Sequence, residues 1–129
     1  MAARARTAVV ESGDLLTAAE IAKMAGFSKS NPGSQPNKWK RNRVIFAVHH
    51  GGLDYYPAFG LDRETHRPLK AMADVLAVFD TARGPWALAS WFIAPNSFLG
   101  GKRPKDLLAT QPDRVVAAAH DELAGVAHG

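Results

Sequence analysis

The sequence predicts a mainly α-helical fold with one small β-hairpin, arranged as two short helices and the hairpin over residues 1–67 and a small helical bundle over 68–129. Three observations carry this. A helix-start signature stands at Thr17–Glu20, two β-prone runs flank Gly51-Gly52, and apolar residues at three- and four-residue spacing fill the second half behind well-placed prolines.

The first helix is expected within Leu15–Phe27. Thr17 and Glu20 have the spacing of a capping box, with Leu16 and Ile21 as the hydrophobic staple around it. Ile21, Ala22, Met24 and Ala25 make one apolar stripe, and Gly26 suits the left-handed residue that closes a helix. Asn31-Pro32-Gly33 is turn chemistry, so a second helix starts near Gln35-Pro36 and has Asn37-Lys38-Trp39-Lys40-Arg41 as its body. Trp39 is expected to anchor it on the first helix, leaving Lys38, Lys40 and Arg41 to solvent or phosphate.

Val44–His49 reads as a strand, Gly51-Gly52 as its turn and Tyr55–Phe59 as the returning strand. Pro57 cannot donate to a ladder, so this second strand is expected at an edge. A hairpin after two helices is the order of a winged helix-turn-helix and resembles the compact MerR/excisionase-like form. Neighbouring strand residues face opposite sides, so His49 and His50 do not share an ion; with no H-E-x-x-H or H-x-x-x-H spacing, neither a metal nor a catalytic site is expected. The glycine pairs at 51–52 and 100–101 lack the context of a phosphate loop and read as turns.

From Pro68 the chain reads as helix. Leu69, Met72, Leu76 and Phe79 share one face with Ala73 beside them, and Ala82-Arg83-Gly84 ends the run. Pro85–Ala94 is apolar around most of its circumference and must be buried by the fold or by another chain. A further helix starts at Pro104, and the last at Pro112-Asp113, where an acid suits the positive helix start. The expected core is Leu88, Trp91, Phe92, Leu107, Leu108 and Val116, with Trp86, Phe98 and Leu99 partly exposed.

The 129 residues carry a net charge of +4, unevenly spread. Residues 1–70 hold 11 Lys/Arg against 6 Asp/Glu, a balance of +5; residues 71–129 hold 5 against 6, a balance of −1. No acid lies between Glu20 and Asp54, whereas Lys23, Lys29, Lys38, Lys40, Arg41 and Arg43 do. Such a run beside a helix-turn-helix pattern points to a polyanion. Lys29, Lys38, Lys40, Arg41 and Arg43 are the candidate phosphate contacts, and Gln35 and Asn37 suit adenine edges. The absence of cysteine removes disulfides and thiolate metal sites. No signal peptide or membrane-length apolar run is read, so a cytoplasmic location is expected.

Trp91-Phe92, Pro95-Asn96, Leu99, Gly101, Pro104, Leu107-Leu108, Val115-Val116 and Gly125 follow one another in a characteristic order. From Trp86 to Gly125 the chain resembles the toxin-binding domain of the Xre/MbcA/ParS antitoxins, although those proteins usually carry a longer, all-helical DNA-binding bundle without a wing. The resemblance implies an antitoxin that binds and silences a RES-domain, NAD-degrading toxin encoded by a neighbouring gene. It places toxin contacts at Trp86, Asn96, Phe98, Leu99, Lys102, Arg103, His128 and Gly129, the chain end lying near the toxin's cleft. The expectation is therefore a non-enzymatic, cofactor-free homodimer that binds a toxin and an operator in double-stranded DNA. The alternative is a stand-alone DNA-binding regulator whose C-terminal helices only dimerise.

Overall fold

Thr17 opens a helix in the way its spacing to Glu20 predicts. Its hydroxyl accepts from the Glu20 N–H at 3.2 Å, and the Glu20 carboxylate accepts from the Thr17 N–H at 2.9 Å. This helix, α2 (Ala18–Ala25), ends on left-handed Gly26, whose φ is 74°. The computed structural model describes residues 3–27 and 30–128, with side chains as far as Gly125.

Ahead of α2 lie helix α1 (Ala3–Glu11) and a short strand β1 (Leu15–Thr17); behind it comes α3 (Ser34–Arg41). Trp39 is buried and its ring meets Phe27 edge-on at 5.6 Å, which anchors α3 on the end of α2 as expected. The hairpin is β2 (Val48–His50) and β3 (Leu53–Pro57), turned by Gly51 and Gly52. Both glycines have positive φ, 57° and 83°, as a two-residue hairpin turn requires. The three strands form one antiparallel sheet in the order β1-β3-β2.

The sheet departs from the sequence expectation in two ways. The returning strand is central, because Leu15–Thr17 pairs along its other side. Pro57 is tolerated as its last residue, and the next N–H, of Ala58, reaches the Asp14 carbonyl at 2.8 Å. The first hairpin strand is also shorter than Val44–His49. Continuing the register past Val48 would set Phe46 opposite Pro57, which offers no N–H, and residues 58–60 turn into a 3-10 helix. Ile45, Phe46 and Ala47 are buried without being strand, so their apolar run reports core and not sheet.

The remaining helices are α4 (Lys70–Phe79), α5 (Pro85–Ile93), α6 (Pro104–Leu107) and α7 (Pro112–His128), with a 3-10 turn at Ser97–Leu99. The prolines at α5 and α6 stand in the first turn, where a missing N–H costs nothing. α4 buries Ala71, Met72, Val75, Leu76 and Phe79 and lies against α7; Ala73, expected on that face, is half-exposed at its margin. In α7 the buried valine is Val115, and Val116 flanks it. Trp91, expected in the core, is half-buried, while Leu99, expected to be partly exposed, is fully buried. One continuous hydrophobic cluster runs from Val9 to Ala119. Within it Phe92 stacks on Phe46 at 6.0 Å and meets Phe59 at 5.1 Å.

Candidate nucleic-acid interface

Helix α3 has two unlike faces, set by its 3.6-residue period. Pro36 and Trp39 are buried, and Gln35 and Lys40 are half-buried along the margin. Ser34, Asn37, Lys38 and Arg41 are exposed at steps of three and four and so share the outward face. That face carries two fixed cations, two short polar side chains and no acid. Of the candidate DNA contacts, the fold thus brings Asn37, Lys38 and Arg41 together. It adds Ser34, which the helical period alone would have found. Lys29 lies outside the described residues.

Lys40 and Arg43 are engaged elsewhere. The Lys40 ammonium donates to Asp54 Oδ2 at 2.7 Å, joining α3 to strand β3. Asp54 Oδ1 lies 2.9 Å from Nδ1 of His49, its cross-strand partner. The Lys40 hydrogen bond, opposed by partial burial and aided by His49, holds the Asp54 carboxyl below its ordinary value. Arg43, itself at a φ of 58°, donates to the carbonyl of Asp80 at 2.8 Å, just past the end of α4. A guanidinium there suits the negative end of a helix. His50 faces away from His49 and sets its ring edge-on to Trp86 at 6.1 Å.

The candidate toxin contacts fall into three kinds. Asn96 builds the turn: its side chain accepts from the Phe98 N–H at 3.0 Å, and its backbone closes on Gly101 and Lys102. Leu99 points into the core, packed with the 3-10 turn against α7, and has no surface to offer a partner. Phe98, Lys102 and Arg103 are exposed, with Phe98 48% accessible. Trp86 is half-buried, covered by the Arg6 guanidinium 5.1 Å from its ring. The His128 side chain and Gly129 lie outside the described residues.

A cleft of about 660 Å³ runs between α5 and α7, lined by Trp86, Ser90, Trp91, Asn96, Asp121 and Glu122 among others. The Trp91 indole N–H is shielded from solvent and has no hydrogen-bond partner among the described residues. Among those residues no group of His, Asp or Glu side chains is arranged to hold a metal ion, and no helix is long and apolar enough to cross a membrane.

No protein-family model matches the chain, and no curated protein matches it either. The fold is similar to that of Rv2175c, known from an NMR structure. The TM-score is 0.69 at 20% identity, covering 84% of this chain and 80% of that one. At that identity the likeness shows a shared fold.

Proposed function

We propose that this chain binds double-stranded DNA as a winged helix-turn-helix protein, with α2 and α3 as the helix pair, the hairpin β2–β3 as the wing and α3 facing the major groove. The observation that carries the reading is the exposed, acid-free face Ser34, Asn37, Lys38 and Arg41 on the second helix of the pair. Lys38 and Arg41 supply charge for phosphates, and Asn37 has the donor and acceptor that fit an adenine edge. The reading is tested by titrating salt against binding to the gene's own upstream DNA and to an unrelated duplex of equal length. Lys38→Ala or Arg41→Ala should weaken binding to both and flatten the slope of log affinity against log salt by ~0.9. Asn37→Ala should chiefly reduce the preference between them. Absent or salt-insensitive binding to both duplexes would sink the proposal.

A second reading is favoured by exposed Phe98 beside Lys102 and Arg103, an apolar contact with a basic rim. There the C-terminal helices dock a RES-type toxin, and this chain is its antitoxin. Co-expression with the adjacent gene product should yield a complex that Phe98→Asp weakens. A neighbour product that is neither toxic nor co-purified would remove this reading and leave a DNA-binding regulator.

A further inference from the structure

We infer that Asp54 withholds Lys40 from the DNA backbone, so that the pair adds no net charge to the interface and phosphate attraction rests on Lys38 and Arg41. The inference rests on the DNA-binding reading and deepens it by naming the residue that limits sequence-independent attraction.

Lys40 lies on α3 next to Arg41, in the most basic segment of the chain, and sequence alone assigns it to phosphate. Its ammonium is instead 2.7 Å from Asp54 Oδ2, and His49 Nδ1 sits 2.9 Å from the other carboxylate oxygen. Asp54 is the first acid after Glu20, and from strand β3 its carboxylate reaches this helix through Lys40. The lysine and aspartate side chains are 37% and 30% accessible, so water reaches the pair and the contact by itself is weak. What holds Lys40 there against a phosphate is the cost of leaving. Moving it would leave the Asp54 carboxylate, with His49 beside it, facing a dense array of negative charge. Asp54 is thus a positioning residue that acts through Lys40.

The consequence concerns specificity. Binding to arbitrary sequence is almost wholly electrostatic, whereas discrimination comes from base-edge contacts. Cancelling one cation on α3 lowers affinity for all DNA about equally and leaves the Asn37 contact untouched, so a larger share of the remaining binding energy rests on base-edge contacts. The same pair links the hairpin to α3.

The test compares salt slopes of the full-length protein on a duplex of arbitrary sequence. Asp54→Asn is isosteric and frees Lys40; it should tighten binding and steepen the slope by ~0.9. The double variant Lys40→Ala/Asp54→Asn preserves net charge and should return to the wild-type slope. Lys38→Ala serves as the reference and should flatten it by ~0.9. A wild-type slope that flattens in the double variant as much as in Lys38→Ala would show Lys40 already on phosphate and overturn the inference. An unchanged slope in Asp54→Asn would overturn it as well. In both cases salt-dependent binding persists, and the DNA reading stands. Loss of all salt-dependent binding in the wild type would remove the reading and the inference together. A thermal melt of each variant controls for folding, since a merely structural role for Asp54 would move the melt and not the slope.

Discussion

Leu99 and Phe98 are neighbours in the chain with opposite fates. The Asn96 cap and the left-handed Gly100 turn the backbone so that Leu99 enters the core and Phe98 leaves it. Leu99→Ala should therefore cost about 2–5 kcal/mol in a urea titration, and Phe98→Ala under about 1 kcal/mol. Equal losses would contradict this division. Tyr56 supplies a second test at this scale. Burial, reinforced by the nearby Asp54 charge, pushes its phenol up to about 12 from a usual value of 10. The unfolded chain then ionises Tyr56 before the folded one does. The associated stability is complete below pH 10 and is lost as pH rises from there through about 12. Tyr56→Phe should flatten the fall in stability over that window, as measured by circular dichroism on denaturant titrations at stepped pH. An unchanged fall would show that other groups cause it.

Among the elements, α2 is the one whose start is fully specified by local chemistry. Both halves of its capping box are made, and its closing glycine is left-handed. Thr17→Ala should cost roughly 1 kcal/mol, read as a lower denaturant midpoint with unchanged slope. A cost near zero would mean that the sheet, through β1, holds this terminus without the cap. The helix was legible from Thr17, Glu20 and Gly26 because capping is a contact among residues a few positions apart. The strands were less so. Leu15–Thr17 was invisible as a strand because three residues carry no usable alternation and their partner is Tyr55–Pro57, far along the chain. Val44–Ala47 reads as strand although it is a largely buried connection, because a short apolar run looks alike in both.

For the whole molecule, the cluster from Val9 to Ala119 crosses the division expected near residue 67. Phe46 and Phe59 rest on Phe92, and Lys105 of α6 donates to Asp14 at 2.9 Å, just ahead of β1. Residues 1–67 alone would expose to water the faces of Phe46 and Phe59 that rest on Phe92, at up to ~1.5–3 kcal/mol for each fully exposed side chain. Expressed separately, residues 1–67 and 68–129 are therefore expected not to fold. The intact chain should unfold in one transition, with tryptophan fluorescence and far-UV circular dichroism coincident. Two dispersed heteronuclear NMR spectra from the separate halves would refute this.

By itself the sequence determined what short-range physics governs: the cap at Thr17, the left-handed turn at Gly51-Gly52, the proline-led starts of α5 and α6, the helical stripe of α4, and the placing of positive charge around α3. The Trp91–Leu108 motif residues were also legible, but most of them prove to build the fold: Asn96 caps, and Leu99, Pro104, Leu107 and Leu108 are buried. Only the tertiary structure decided which charges on and beside α3 are paired. Lys38, Lys40, Arg41 and Arg43 are equivalent as letters; Asp54 and Asp80, 14 and 37 residues away along the chain, engage two of them. The availability of a charge depends on what the fold brings within about 3 Å of it, and pairing across such separations leaves no periodic trace in a sequence.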